Sequence, residues 1–320
     1  MIGLVRCALG DVVPGSLGRT DYHEHLFQVS PLLPGDELDD EDASREEARL
    51  LRAAGVAAMV DATPIGLGRD PEAAARISAQ VGLGVVLATG VHREAHYAEG
   101  HWLRQRSTEQ LADRFVQELQ RGLPVHDEPG DVPVARSTDG QPVRAGLLKA
   151  GIGYWSISPF EHRVLEAVAA AHSATGAPVM VHLEHGSAAL EVVDLLGRMG
   201  VAATRLVLAH VDRNPDPGLH VEVAQSGAYL GYDGMARTRE WPDSVIIDCI
   251  DRVVRAGQAD RVLVGGDVAR RSRYVAYGGM PGLAYLPCRF LPRLERLGHP
   301  GLLTTLLEEN PARLLAWSRR

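Results

Sequence analysis

The chain has 320 residues, is 45% hydrophobic, and carries a net charge of −8 from 33 basic and 41 acidic side chains. That acidic balance argues against nucleic acid or an anionic membrane as partner, no apolar run of eighteen residues is present to span a bilayer, and residues 1–10 lack the charged, apolar and cleavage-site succession of an export leader. Three scattered cysteines (Cys7, Cys249, Cys288) with no C-x-x-C pair speak against a disulfide framework, so the expectation is a cytoplasmic globular protein, one domain over residues 1–320, acting on a small molecule.

Along the chain, short apolar runs alternate with helix-period stretches, the pattern of successive βαβ units. A small hairpin is expected before residue 17. Eight strand-like runs then occupy residues 17–23, 56–62, 84–90, 143–149, 178–183, 205–210, 227–233 and 261–267. Several are almost continuously apolar, as strands buried on both faces should be. Between them helices are expected over 44–54, 71–80, 108–121, 159–175, 187–199, 219–226, 243–256 and 283–296, with a last helical piece, 302–317, interrupted near Pro311. The clearest is 159–175: Ser158 is placed to cap it, Pro159 starts it, Glu161 completes a capping box, and Gly176 stops it. Residues 122–142, rich in Pro, Gly and Asp, read as a long loop. Eight strands each followed by a helix is the count of a (β/α)8 TIM barrel of the α/β class. An open doubly wound sheet would carry a glycine-rich first turn; here that turn reads YHEH.

Of the 33 basic residues, 32 are arginine and one, Lys149, is lysine. A lysine that stands where arginine has taken every other basic position is expected to do what guanidinium cannot: lose its proton when buried and act as a nucleophile. In a barrel the active site forms at the C-terminal strand ends. The first run ends in His23-x-His25, the fourth at Lys149, the fifth near His182, the sixth at His210 and the eighth at Asp267. Each residue alone has a plain structural explanation, since lone histidines are commonly hydrogen-bonded core residues and Asp267 could cap a helix. Their convergence on one barrel face points to a metal site, and imidazole with carboxylate suits zinc, manganese, cobalt or nickel. His126, His172, His220 and His299 fall in helices or loops and read as surface residues.

The order HxH, Lys, His, His, Asp resembles the phosphotriesterase family of the amidohydrolase superfamily, as do TDYHEHL at 20–26, ATG at 88–90, LVLAH at 206–210 and ENPARLL at 309–315. The resemblance covers essentially the whole chain. It implies a hydrolase with two divalent ions, zinc first and manganese or cobalt as alternatives. His23, His25 and Asp267 would hold the more buried ion, and His182 and His210 the more exposed one. Lys149, carboxylated by carbon dioxide, would bridge the two together with a hydroxide, and Asp267 would accept the nucleophile's proton. The family's phosphotriesterases carry a His after the seventh-strand Asp; here Asp233 is followed by Gly234, so a proton relay must run differently. Where lactonase relatives place an aromatic after strand three, this chain has His92 and Arg93. Arg270, Arg271 and Arg273 follow Asp267 in a loop suited to an anion, with Arg237 and Arg239 nearby, a stretch resembling the branch that hydrolyses phosphorylated sugar lactones. The expected activity is opening of a small, phosphorylated or plain, lactone, with His92, Arg93, Asp233 and the three arginines contacting substrate. Phosphotriesterase or amidase chemistry on the same site, and a non-catalytic ligand-binding barrel, are the alternatives. A homodimer is compatible with such a barrel.

Overall fold

The computed structural model of the chain describes residues 3–317; residues 1–2 and 318–320, the ends of the expected 1–320 domain, lie outside the described residues. Its first two strands, β1 (Val5–Cys7) and β2 (Gly10–Val12), pair antiparallel as the expected hairpin. The hairpin packs under the N-terminal ends of the barrel strands: Ala8 N donates to Val85 O at 2.7 Å, and a Cβ on Gly146 would lie 2.3 Å from Arg6 O.

Eight parallel strands follow: β3 (Thr20–Glu24), β4 (Ala58–Asp61), β5 (Gly84–Gly90), β6 (Leu147–Ile152), β7 (Val179–Leu183), β8 (Leu206–Ala209), β9 (Tyr229–Tyr232) and β10 (Val262–Val264), each hydrogen-bonded to the next in sequence order. The ring closes where Asp267 N donates to His23 O at 2.8 Å. Strand alternation divides the core in two. Ala58, Val60, Val86, Ala88, Leu147, Met180, Val207, Tyr229 and Leu263 fill the barrel interior, while the alternate residues, among them Val85, Leu148, Ala150, Val181, Leu208 and Val264, pack under the helices. By this parity Lys149 and Gly151 face inward.

The helices α1 (Glu41–Ala53), α2 (Pro71–Val81), α3 (Thr108–Gln120), α4 (Pro159–Thr175), α5 (Ala189–Arg198), α6 (Pro217–Gln225) and α7 (Asp243–Arg255) surround the barrel. The Ser158–Glu161 capping box of α4 is formed, and Glu161 Oε1 also accepts the Glu94 N–H at 3.0 Å, tying the loop after β5 to the loop after β6. Two expectations shift. Helix α1 starts three residues early because Asp40 caps it, accepting from Ala43 N. Near the C-terminus the expected helices break into α8 (Leu291–Glu295), α9 (Leu302–Thr304) and α10 (Asn310–Leu315), with π turns at Leu286–Phe290 and Thr305–Glu309 just ahead of Pro292 and Pro311. A proline has no N–H for the i−4 carbonyl, so the preceding turn widens. Among the described residues no helix is long and apolar enough to cross a membrane.

The fourth predicted run stops at Lys149, but β6 continues to Ile152, pairing Ile152 with Leu183. Lys149 is therefore an interior position held from both sides. Its neighbour in β5 is Gly90, at φ +112, where a Cβ would fall 1.9 Å from Lys149 O. Gly90→Ala is expected to lower stability by about 2–4 kcal/mol, read as a shift of the urea midpoint; an unchanged midpoint would show that β5 and β6 can part without cost.

Candidate metal centre

The C-terminal ends of the strands open into a cavity of about 260 Å³ lined by His23, His25, His92, Lys149, His182, His210 and Asp267 together with Arg93 and Arg270. Two backbone departures help to fill it. Ala209 faces the barrel interior, so strict alternation would turn residue 210 outward; a left-handed backbone at His210 (φ +69) turns it back. Asp267, at φ +43, is likewise left-handed. Strain of this kind gathers at working sites.

Hydrogen bonds fix which nitrogen each imidazole turns to the cavity. His23 Nδ1 (2.9 Å) and His210 Nδ1 (2.6 Å) both donate to the carboxylate of Asp233. His25 Nδ1 lies 2.7 Å from Thr63 Oγ1, whose proton goes to Phe27 O, so the ring must donate there. His182 Nε2 donates to Glu184 at 2.9 Å. Each of the four rings is thus left with an unprotonated nitrogen, Nε2 on three and Nδ1 on His182, the tautomers a metal requires. Burial pulls His23 down to about 3 and, with His210 and His92 adding to it, His182 well below its usual range. Those two rings are neutral at physiological pH, and burial lowers His210 as well.

Lys149 is 1% exposed, with Nζ 3.3 Å from His23 Nε2 and 3.0 Å from Met180 Sδ. Burial lowers its pKa to about 8, against the opposing pull of Asp267 and Asp233. Burial alone would raise Asp267, but Arg237, His23, His25 and His210 outweigh it and hold the carboxyl well below its usual range. Oδ1 faces His25 Nε2 at 3.5 Å, while Oδ2 accepts from Arg213 (2.9 Å) and Arg237 (2.5 Å). The loop carrying Asp267 is pinned to β3: Asp21 Oδ1 accepts from Gly266 N and Glu24 Oε2 from Val268 N. Burial pushes Asp21 up to about 8 and Glu24 well above its usual range.

His23, His25 and Asp267 offer ligand atoms within 4.8 Å of one another. His23, His210 and Asp233 are as close, but there the contacts are the Nδ1 hydrogen bonds just described. Four imidazoles each with a nitrogen turned toward the cavity, an ionised carboxylate and a buried amine of lowered pKa fit a divalent cation.

Three residues expected to touch substrate are placed elsewhere. Asp233 is completely buried beneath the cavity, its oxygens taken by His23, His210 and the Tyr22 hydroxyl. Arg271 turns outward to Asp39 and stacks on Tyr277. Arg273 packs behind the loop, reaching Met235 O. Two histidines read as surface residues are also core: His220 bonds Tyr232, Val211 O and Asn214 O, and His172 bonds Ala177 O. In turn, Arg213, Glu184 and Thr63 serve the site without having been singled out. Arg213 and Glu184 stand within three residues of His210 and His182, and that proximity was the available signal; Thr63 follows a strand that ends in no ligand.

A barrel presenting this donor set at its C-terminal face defines a metal-dependent hydrolase. The chain belongs to the phosphotriesterase family, whose profile matches residues 3–315. It is 31% identical to a phospho-furanose lactonase of Mycoplasmopsis synoviae over 98% of this chain and 92% of that one. Among solved structures it resembles a lactonase from Listeria monocytogenes (TM-score 0.88, 30% identity, 99% and 100% of the two chains). It also resembles the phosphotriesterase homology protein of Escherichia coli, solved with phosphate in its active site (TM-score 0.83, 28% identity, 95% and 100%).

Because Asp233 orients two of the candidate ligand imidazoles, Asp233→Asn is expected to weaken divalent-metal binding by about 10–100-fold while the far-ultraviolet spectrum stays native. Competition with a chromophoric chelator measures this; affinity within about twofold of wild type would deny Asp233 the role.

Proposed function

We propose that the chain is a binuclear metal-dependent lactonase whose substrate is a small lactone bearing an anionic group, phosphate before any other. Four arginines, Arg93, Arg213, Arg237 and Arg270, line a cavity of only about 260 Å³ beside the ligand cluster, and this observation carries the proposal. Such a volume suits a small substrate. Arg93 faces Glu184 at 3.3 Å, and Arg213 and Arg237 hold Asp267. Arg270 is only loosely engaged, 3.8 Å from Asp36 with its side chain 44% exposed, and is the arginine freest to grip a phosphate. The names of the relatives, a phospho-furanose lactonase and a homologue holding phosphate, support the same choice.

In this proposal His23, His25 and Asp267 hold one ion, His182 and His210 the other, and a carbamate on Lys149 joins them, with zinc as the metal. Bound there, the ions would supply a water of pKa near 7 and polarise the carbonyl. A carbamate forms on a neutral amine, which the lowered pKa of Lys149 favours. Asp267 Oδ1, turned to the imidazoles while two arginines hold Oδ2, is the atom that takes the proton of the attacking water. A relay histidine lacks room at position 234, where a Cβ would lie 2.9 Å from Asp212 Oδ2. Three cysteines with no disulfide among them are in keeping with the cytoplasm.

The test compares a furanose lactone with its phosphorylated counterpart, alongside an N-acyl amine and a paraoxon-like ester. The phosphorylated lactone is expected to give the highest kcat/KM. Arg270→Ala should lower that value by about 10–100-fold, the worth of a charge-assisted hydrogen bond, with little effect on the plain lactone. Equal losses on both lactones, or a wild type that prefers the amide or the phosphotriester, would contradict the proposal.

A further inference from the structure

The imidazoles lining the cavity are wired in two opposite ways. The four ligand rings give their fixed nitrogen's proton to the protein and keep a lone pair for the cavity. His92 does the reverse. Its Nδ1 accepts the backbone N–H of Arg93 at 2.8 Å, so in the neutral ring the proton must reside on Nε2. The arrangement is held from several sides. The His92 N–H donates to the Tyr97 hydroxyl at 2.9 Å, which itself donates to Ile65 O. The ring packs between those of His96 and His182, at centroid distances of 4.0 and 4.5 Å. Gly151, the inward-facing residue of β6 after Lys149, makes the space: a Cβ there would lie 2.8 Å from Arg93 N and 3.1 Å from His92 Nδ1. With Nδ1 committed to the backbone, Nε2–H is the polar group this ring has left for the cavity it lines.

We infer that His92 is a catalytic residue that donates a hydrogen bond, through Nε2–H, to the substrate oxygen on which negative charge develops. The inference rests on the hydrolase reading above. In lactone opening, a water oxygen bonds to the carbonyl carbon and the C=O electron pair moves onto the carbonyl oxygen. That oxygen is the one His92 Nε2–H meets, and the imidazole keeps its proton throughout. The pair then returns, the ring C–O bond breaks, and the ring oxygen leaves with the proton lost by the water, giving the hydroxy acid. A donor fixed before substrate arrives needs no reorganisation at the moment of reaction, and removing one such donor typically costs about 10²–10³ in turnover. The wiring also separates His92 from the metal ligands, because its Nδ1 lone pair is already occupied.

Two measurements test this. A long-range ¹⁵N–¹H correlation spectrum of the zinc-reconstituted protein, assigned by loss of the His92 signals in a variant, should show His92 with its proton on Nε2; a proton on Nδ1 overturns the inference. Steady-state kinetics of His92→Leu and His92→Gln supply the second. Leu, which cannot donate, should lower kcat about 100-fold with KM within about threefold and metal content unchanged; Gln, whose amide can donate, should recover at least tenfold of the loss. A Leu variant turning over at near wild-type rate, or one that loses metal, overturns it. Should lactones prove not to be the substrate, the same variants are compared on whichever ester, amide or phosphotriester the wild type hydrolyses, and the tautomer measurement needs no substrate. Failure of the lactone reading and failure of the donor are thereby told apart.

Discussion

A carboxylate without access to water, Asp233, sets the polarity of the site. Burial opposes its ionisation, yet the donors on His210 and His23 hold its pKa below the usual range. An unpaired buried charge would cost several kcal/mol; here it is satisfied by two imidazole N–H groups, the Tyr22 hydroxyl and the His210 backbone N–H. The interaction requires close approach. Tyr22 fills the barrel interior under the carboxylate, and a Cβ on Gly231 would strike its hydroxyl oxygen at 2.2 Å. The alternation of small and large inward residues in β9 thus determines which nitrogens the imidazoles above turn to the cavity.

From that base the site is built outward through loops that do not follow regular geometry. His210 and Asp267 adopt left-handed backbone at the strand ends, and Trp155, His185 and Ala269 do so in the loops beyond them. The barrel supports this strain with short, specific ties: Asp21 and Glu24 to the β10 loop, Tyr274 to His25 O, and Glu161 to Glu94 N. Farther out, a half-open groove of about 690 Å³ bounded by Tyr154, Trp155 and His185 shares Arg93, Glu184 and Arg213 with the metal cavity. Chemistry is held low in the barrel on rigid strands, and the adaptable contacts are left to the rim.

Strand number, strand order and the meeting of His23, His25, Lys149, His182, His210 and Asp267 in one cavity were legible because they obey the strongest sequence rules: apolar runs of fixed period and titratable residues at their ends. Helix α4 was legible to the residue, since its cap, first proline and terminal glycine each act locally. What could not be read depends on where chains meet in space. Lys149 marks the end of an apolar run, yet β6 goes on, because Ala150 and Ile152 pack under the helices while Gly151 turns inward. His220 looks like any polar helix residue until Tyr232 and two carbonyls surround it. Arg270, Arg271 and Arg273 look equivalent in sequence, but a loop full of short turns points the first into the cavity, the second at Asp39 and the third behind the loop. Asp233 lies 210 residues beyond His23, and their partnership comes only from closing the barrel.

The central claim is that Lys149, the lone lysine among 33 basic residues, joins two divalent ions. Guanidinium keeps its charge and cannot form a carbamate, so Lys149→Arg tests the claim while altering little in bulk. The measurement is metal content per chain, by elemental analysis after reconstitution with zinc and bicarbonate and removal of free ion. Two ions in the wild type and fewer than one in Lys149→Arg are expected. Two ions retained by the arginine variant, or a wild type that never exceeds one, would contradict the claim.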